Sequence, residues 1–573
     1  MTSPPPPYRL LVLLLFVACS TLQAQDLSKI GKAKPFTYTG SLSSRFVFYN
    51  ASGIPNRRDP FGYVVGGNIN IGIYELYFPF SFSYSNQGTV YGQPFNQFGV
   101  SPTYKWATLH LGYRNISYSS LTLAGHQMLG AGVELNPGKL RVGFMYGRLR
   151  RAVQFRPPPD SLSLDTLLQT QPLIPIGEDP VYQRTGWGAK VGYGDDKGFI
   201  DLILFKAKDA PSSIDDDSIK QIFRPAQNAV MGINARRTFF NKLNIFFEGA
   251  ISAITRDGEL DDEGGAGDSV SISKVFKPFI PINSTTYYYR AIKAGLGYSH
   301  NIFNVQADYQ RIDPDYNSMG AYFFNNDIES INITPSVYLF KNKTIVTSGF
   351  SFQRDNLNNK KQVTTKRTIP RINVSINPSY KYGIDLGYQD MRTSQASGIL
   401  ELPDSLRMNM SNPGYTAGLR YNIADSLRTH SFMIMGNQFS LKDRNELTQP
   451  FSEYTATILN FNYNFYMIKK SLGLTASVTA NKLESFSGTV LSTGFSVAGN
   501  KGFNDNKIAL TATWSANFSE LANSHSSNLG VSYAPGKLSL SAQLNYLIAE
   551  QGETTFNEFT GFIEARYNLT QKK

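Results

Sequence analysis

Histidine, serine and acidic side chains are the first places to look for hydrolytic or metal-dependent chemistry in this 573-residue chain. The strand pattern described below separates the five histidines, so they cannot converge on one metal ion. None of them has a serine or aspartate partner in register. We therefore expect no enzymatic activity and no cofactor. The histidines are His110, His126, His300, His430 and His525.

One acidic segment has a spacing that could bind a hard cation. Asp257, Glu259 and Asp261 stand at alternate positions, as carboxylates do in calcium loops. The segment lacks glycine at its sixth position, and Asp268 stands where such a loop has its twelfth-position glutamate. Both a weak calcium site and a solvated acidic loop are compatible with this pattern.

The composition indicates which elements must position these side chains. Aromatic residues make up 13% of the chain and charged residues only 17%, whereas soluble proteins have about a quarter charged residues. A helical membrane protein would contain apolar runs of about 18 residues or more, and none follows the N-terminal region. These features favour a membrane β-barrel, whose strands face lipid on one side and water on the other.

The N-terminus is typical of an export signal. Arg9 precedes an apolar run, and a small-residue stretch ends at Ala24, which predicts a cleaved signal peptide over residues 1–24. Lipoprotein processing before Cys19 is the alternative. Cys19 is the only cysteine, so after cleavage at Ala24 we expect neither disulfides nor thiolate metal sites. Residues 25–35 would form a short periplasmic extension.

Apolar and polar residues alternate from residue 36 onward, as in residues 140–147, in segments of about ten to thirteen residues. A period of two sends one set of side chains to lipid and the other to the lumen, and about ten tilted residues cross a bilayer. The prediction is an all-β, antiparallel up-and-down transmembrane barrel over residues 36–569, followed by a polar tail, 570–573. About 26 strands (24–28) are expected, beginning near residues 36, 62, 75, 96, 107, 126, 139, 183, 198, 228, 242, 287, 302, 328, 344, 366, 381, 411, 429, 454, 471, 489, 505, 524, 537 and 556.

The connections alternate between tight turns and long polar loops. Turns such as 136–139 and 534–537 contain the Gly, Pro and Asn that sharp reversals require. This parity is typical of short periplasmic turns and long extracellular loops. The predicted long loops are 50–61, 151–182, 209–227, 255–286, 313–327, 391–410 and 441–453.

Over residues 36–569 the chain resembles the Gram-negative outer-membrane β-barrel superfamily, through its signal sequence, dyad repeat, loop asymmetry and closing strand. The resemblance implies an outer-membrane location and contact with outer-membrane lipid. Members usually end on an aromatic residue, whereas here a polar tail follows Leu569. No plug domain is evident, and no named functional family matches residue by residue.

Strand parity assigns more basic than acidic side chains to the lumen. This excess predicts either an interior that favours anionic solutes or charges that pair across neighbouring strands. Because basic residues are scattered singly, the formal charge of +12 does not predict nucleic-acid binding. The basic residues are Lys105, Arg114, Arg141, Lys190, Arg236, Lys293, Arg371, Arg420 and Arg566, and the acidic ones are Asp201, Glu248, Asp308, Asp385 and Glu564.

The loop at residues 313–327 is unusually aromatic, because it contains Tyr316, Tyr322, Phe323 and Phe324. Such a segment is not expected to stay in water. It can fold inward as a constriction, dock a partner, or pack on itself over the barrel rim.

Size raises the main functional question. Barrels of 16–18 strands already enclose an aqueous channel, and 22-stranded transporters are plugged, so an open barrel of about 26 strands would leak. Inward loops, a lipoprotein or periplasmic partner, or cargo must fill it. We expect a transport or export conduit for a large solute, lipid or polymer. The alternatives are a non-transporting scaffold or assembly component, and a general porin.

Overall fold

The structure, a computed structural model, describes residues 36–86, 96–154, 180–262, 270–321, 325–399, 401 and 403–570. The expected signal peptide and periplasmic extension lie outside the described residues. Within these ranges, no helix has the length and apolar character needed to cross a membrane.

The described chain consists mainly of long antiparallel strands, with a few short helices in the connections. The helices are α1 (Asp217–Ile222), α2 (Val270–Phe276) and α3 (Gln449–Ser452). The strands are β1 (Phe36–Ser52), β2 (Phe61–Ile73), β3 (Leu76–Ser85), β4 (Gln97–Val100), β5 (Thr103–Tyr104), β6 (Ala107–Asn115), β7 (Leu123–Ala124), β8 (Gln127–Leu135), β9 (Leu140–Arg150), β10 (Arg184–Asp195), β11 (Gly198–Asp209), β12 (Gln227–Phe239), β13 (Leu243–Thr255), β14 (Thr286–Ser299), β15 (Phe303–Ile312), β16 (Gly320–Ala321), β17 (Ile328–Leu339), β18 (Thr344–Arg354), β19 (Val363–Ile376), β20 (Tyr382–Ser397), β21 (Asn409–Ala424), β22 (Arg428–Asp443), β23 (Tyr454–Met467), β24 (Leu472–Ser485), β25 (Gly488–Phe503), β26 (Ile508–Ser519), β27 (Ala522–Tyr533), β28 (Leu538–Gln551) and β29 (Thr554–Thr570).

The sheet closes on itself. Each wall strand pairs with the next, and β1 pairs antiparallel with β29 from Thr39↔Thr570 to Ser52↔Asn557. Both β4 and β5 lie between β3 and β6, so they are halves of one strand that is interrupted at Ser101 and Pro102. A proline there cannot donate a backbone hydrogen bond to the sheet. The wall therefore has 26 strands, as the sequence predicts.

The predicted strand positions agree closely with the observed ones. Every predicted strand start lies within three residues of an observed start. The last strand ends at Thr570, one residue beyond the predicted end of the barrel. This agreement follows from the period-two pattern, which each strand carries within its own sequence.

The two faces of the wall differ as a membrane requires. Large apolar side chains on one face are well exposed, for example Leu510, Trp514, Leu529 and Leu544. Residues that alternate with them, such as Ser515, are mostly polar or small and face the opposite side. The first set forms a lipid-facing surface and the second lines the lumen.

The connections are asymmetric along most of the chain. Short turns join the strands at the end where both termini of the wall lie, and longer loops join them at the other end as far as β23. The last three connections at the long-loop end are two-residue hairpins, at 486–487, 520–521 and 552–553. The barrel therefore has loops over one part of its circumference and short hairpins over another.

Candidate functional site: two loops inside the lumen

Two connections from the long-loop end fold into the barrel. Luminal loop A, residues 116–126, joins β6 to β8, and luminal loop B begins at residue 313, after β15. Their short strands β7 and β16 run parallel, with Gly320 opposite Leu123 and Ala321 opposite Ala124. Residues far apart in the sequence thus form one luminal loop pair, which packs against the inner face of the wall.

The loop pair is held by a buried apolar cluster. Leu121 and Leu123 are completely buried, and Tyr316 of loop B is 1% exposed. They pack with inner-face side chains of the wall, including Met145 on β9 and Phe205 on β11. Burying a side chain of this size stabilises the folded loops by about 1.5–3 kcal/mol. One side of the lumen therefore has a core like that of a soluble domain.

Glu248 on β13 forms the main polar attachment of loop A. Its carboxylate accepts hydrogen bonds from Ser119 Oγ at 2.5 Å, from Ser120 Oγ at 3.1 Å and from the Leu121 backbone N–H at 2.8 Å. Lys293 Nζ on β14 donates to Ser120 Oγ at 2.8 Å. Charged partners make these bonds stronger than neutral ones.

Loop B is attached both to the wall and to loop A. The Tyr316 hydroxyl donates to the Leu121 carbonyl at 2.6 Å, and burial raises the pKa of Tyr316. Ser252 Oγ on β13 donates to the Asn317 carbonyl at 2.6 Å. The Met319 N–H donates to Asn228 Oδ1 on β12 at 3.0 Å. The wall therefore holds loop B through two adjacent strands, β12 and β13.

Two glycines allow the loops to approach closely. A Cβ at Gly320 would lie 2.8 Å from the Phe205 ring and 2.8 Å from the Thr122 carbonyl oxygen. A Cβ at Gly232, on the inner face of β12, would lie 2.5 Å from the Thr122 methyl group. A larger residue at either position would displace the loop from the wall.

The structure describes only one of the four aromatic residues that the sequence singled out in the loop at residues 313–327. Tyr316 lies in the luminal cluster, whereas Tyr322, Phe323 and Phe324 lie outside the described residues. Sequence reasoning missed loop A. The available indication was the presence of Leu121 and Leu123 in a connection that should be polar if it stayed in water.

The predicted luminal charges divide into paired and unpaired groups. Arg141 Nε and Nη2 donate to Asp201 Oδ1 and Oδ2 at 2.8 and 3.0 Å. Lys190 Nζ lies 3.6 Å from Glu134 Oε1. Among the described residues, no carboxylate lies within 4.0 Å of the side-chain nitrogens of the remaining cations that were predicted to face the lumen within strands, namely Arg114, Arg236, Lys293, Arg371, Arg420 and Arg566.

Several of these cations hydrogen-bond to neutral groups instead. Arg114 donates to Ser81 Oγ at 2.8 Å, Arg371 to Thr334 Oγ1 at 3.3 Å and Arg420 to Asn377 Oδ1 at 2.6 Å.

Lys105 is placed differently from the prediction. It lies in the turn between β5 and β6, with a φ of 50°, and its Nζ is 3.4 Å from Glu75 Oε2. Parity assigns faces only inside strands, so it failed at this turn residue.

The Arg141–Asp201 pair gives a testable contribution to barrel stability. The Asp201 side chain is 2% exposed and that of Arg141 is 24% exposed. We expect Asp201→Asn to weaken the two bonds and to lower the stability of the barrel by about 1–3 kcal/mol. The temperature at which the folded band disappears in semi-native SDS gels measures this loss. Asp385→Asn is the matched control, because Asp385 accepts one hydrogen bond from Ser375 and has no cation within 4.0 Å in the described chain. Equal melting of both variants would contradict the prediction.

The prediction that no histidine has a serine or aspartate partner in register was wrong for His110, which has a serine on one side and a glutamate on the other. Ser101 Oγ lies 3.0 Å from Nδ1 of His110, and Glu134 Oε2 lies 3.4 Å from Nε2. The carboxylate was missed because it comes from β8, the neighbouring strand. The Ser101 N–H donates to the Pro79 carbonyl, and residue 102 is a proline. Neither adjacent amide can therefore stabilise an oxyanion, so this arrangement is better explained as a link between strands.

The acidic segment shows no cation geometry in its described part. Arg224 Nε lies 3.6 Å from Asp257 Oδ2, and the Glu259 N–H donates to Asp257 Oδ1 at 3.1 Å. Hydrogen bonds from Ser284 lower the pKa of Asp262. Residues 263–269 lie outside the described residues. In the ranges that are described, no group of three His, Cys, Asp or Glu side chains could hold a metal ion.

No protein-family model matches the chain, and no curated protein matches it. Solved structures with a similar fold include the E. coli P pilus tip assembly intermediate PapC-PapD-PapK-PapG, at 11% identity and a TM-score of 0.45, covering 95% of this chain and 62% of that one. They also include the FrpB iron transporter from Neisseria meningitidis, at 9% identity and a TM-score of 0.41, covering 95% and 84%. The siderophore receptor PirA from Pseudomonas aeruginosa is a third, at 7% identity and a TM-score of 0.36, covering 93% and 80%. Similarities this distant carry no information about substrate or mechanism.

The closed antiparallel wall, with an apolar outer face and a polar inner face, defines a transmembrane β-barrel of the outer-membrane type. It is a 26-stranded barrel whose lumen contains two of its own loops.

Proposed function

We propose that this protein is an outer-membrane conduit for a large solute, lipid or polymer, narrowed by luminal loops A and B. The attachment of loop A to Glu248 by three hydrogen bonds is the observation that carries the proposal. Loops that merely covered the rim would not need a charged anchor inside the wall. The constriction explains how so wide a barrel can avoid leaking.

The loop pair also suggests how passage would be controlled. Its contacts lie on β8–β15, which are eight of the 26 wall strands, so within the described residues the loop pair leaves about two-thirds of the circumference free. Displacing the pair would widen the conduit without breaking any strand pairing. A periplasmic or lipoprotein partner could bias the loops, and co-purification from native membranes would identify it.

Planar-bilayer recordings of the purified wild-type protein test the conduit directly. We expect discrete current steps that are smaller than those of an unobstructed barrel of this size, because the loops occupy part of the lumen. Vesicles containing the protein should admit small solutes and exclude large ones. If the wild-type protein and a variant lacking residues 116–126 and 313–321 were both silent, the barrel would be a scaffold instead. Current steps of full barrel size in the wild type would favour a general porin.

A further inference from the structure

The wall facing away from the luminal loops has no charge on its inner face. On strands β23–β28, which the structure describes in full, the luminal positions alternate with exposed apolar residues such as Leu459 and Leu529. No Asp, Glu, Lys or Arg occupies a luminal position on these six strands. Serine, threonine, asparagine and glycine predominate. We call this surface the neutral wall.

The polar groups of the neutral wall bond across neighbouring strands. Ser477 Oγ lies 2.7 Å from Ser496 Oγ, and Thr479 Oγ1 donates to Asn460 Oδ1 at 2.9 Å. The two-residue hairpins at 486–487, 520–521 and 552–553 are too short to fold over the lumen. Among the described residues, the hairpins at this end therefore leave the neutral wall uncovered, opposite the side that the loop pair occupies.

A polar cavity lies further round the inner wall, near the middle of strands β15, β17, β18 and β19. We call this cavity of about 520 Å³ the wall niche. Asn332 Nδ2 donates to Asp308 Oδ2 at 2.8 Å, and Ser351 Oγ donates to Asn332 Oδ1 at 2.5 Å. The niche is also lined by Arg371 and Thr334.

Strand pairing is interrupted beside the wall niche. Pro335 on β17 lies within a gap in the pairing between β17 and β18, and Pro370 on β19 lies within a gap between β19 and β20. Proline is normally excluded from central strands because it cannot donate to the sheet. Two such breaks next to one cavity leave space for a ligand to contact the wall.

These surfaces fit one chemical class of solute. A charged polymer gains no attraction from a wall without charges. A hydroxyl-rich solute exchanges its hydrogen bonds with water for hydrogen bonds to hydroxyls and amides at little cost. In the wall niche, Asp308 and Arg371 have opposite charges, so the cavity offers donors and acceptors without net charge.

We propose that the conduit carries an uncharged, hydroxyl-rich solute of the oligosaccharide class, and that the wall niche is its binding site. The transport part rests on the proposed function, whereas binding at the niche does not. Asn332 is the residue to test, because its side-chain amide hydrogen-bonds to both Asp308 and Ser351 and is thereby held in place in the niche.

Equilibrium binding to the full-length protein, in a detergent without sugar groups, tests this proposal. The probes are a linear neutral glucose oligosaccharide and its sulfated counterpart, measured by titration calorimetry. We expect binding of the neutral probe only. Asn332→Ala should weaken it about tenfold, as loss of a well-formed hydrogen bond does. Asn437→Ala on β22 is the matched control, because Asn437 is an inner-face asparagine that accepts a hydrogen bond from Thr416 Oγ1 at 3.0 Å and lies outside both the neutral wall and the wall niche. It should change the affinity less than about twofold.

Three results would overturn the proposal. The first is that the sulfated probe binds more tightly than the neutral one. The second is that Asn332→Ala leaves the affinity for the neutral probe unchanged in a barrel of normal gel mobility. The third is that an unfolded Ser/Thr/Asn-rich peptide binds more tightly than the neutral probe. If the protein conducts ions but binds no neutral oligosaccharide, the solute class is wrong and the conduit stands. If it binds the oligosaccharide but never conducts, the niche stands and the conduit is wrong.

Discussion

Replacement of Glu248 by alanine is expected to raise the fraction of time that a single barrel spends in its widest conducting state by about a hundredfold. The carboxylate accepts three hydrogen bonds from residues 119–121. Hydrogen bonds to a charged group contribute about 1.5–3 kcal/mol each when buried. Because this site is partly hydrated, we take about 3 kcal/mol as the combined contribution of the three hydrogen bonds to docking of the loop. Since about 1.4 kcal/mol corresponds to a factor of ten, the undocked population rises about a hundredfold.

Planar-bilayer recordings at single-barrel resolution measure this change. Glu248→Gln keeps an acceptor in place and should give an intermediate result. Asp385→Ala is the matched control, because it removes an inner-face carboxylate that accepts a hydrogen bond from Ser375 and lies away from the loop pair. Identical records for the Glu248→Ala, Asp385→Ala and wild-type proteins would show that Glu248 does not hold a constriction.

Cross-linking loop B to the wall is expected to abolish the wide state that Glu248→Ala produces. Ser252 Oγ lies 2.6 Å from the Asn317 carbonyl oxygen, so the two Cα atoms are at most about 7.4 Å apart, slightly beyond the limit for a direct disulfide. Cysteines at these positions in the Glu248→Ala background should be joined by a short bis-methanethiosulfonate reagent, which links two thiols through reducible disulfides. The barrel should then show only the small steps of the wild type, and reduction should restore the wide state.

The sequence makes this experiment simple, because its only native cysteine is Cys19, in the expected signal peptide. Ser477→Cys with Ser496→Cys is the control. These residues face each other on the neutral wall, with their hydroxyls 2.7 Å apart. Their cross-link should form without changing the current. Wide steps that persist with the Ser252–Asn317 cross-link in place would mean that loop B does not move with the conducting state.

The strands of the wall could be predicted because the pattern that specifies each strand lies within the sequence of that strand. Residues 140–147 alternate between apolar and small or polar types, and β9 places Phe144 and Tyr146 outward and Met145 inward. Each strand carries this period-two pattern by itself, and a shift of one residue would turn every apolar side chain inward. Lys105 shows where the rule stops, since a turn residue belongs to neither face.

Strand number, closure and outer-membrane class were determined by the sequence alone, because turn residues and alternation repeat in every hairpin. Only the tertiary structure decided what lies inside. Tyr316 bonds to a carbonyl 195 residues earlier in the chain, and Glu248 binds a loop more than 120 residues before it. No local pattern encodes such contacts, because they exist only after closure has brought β6, β13 and β15 around the same lumen.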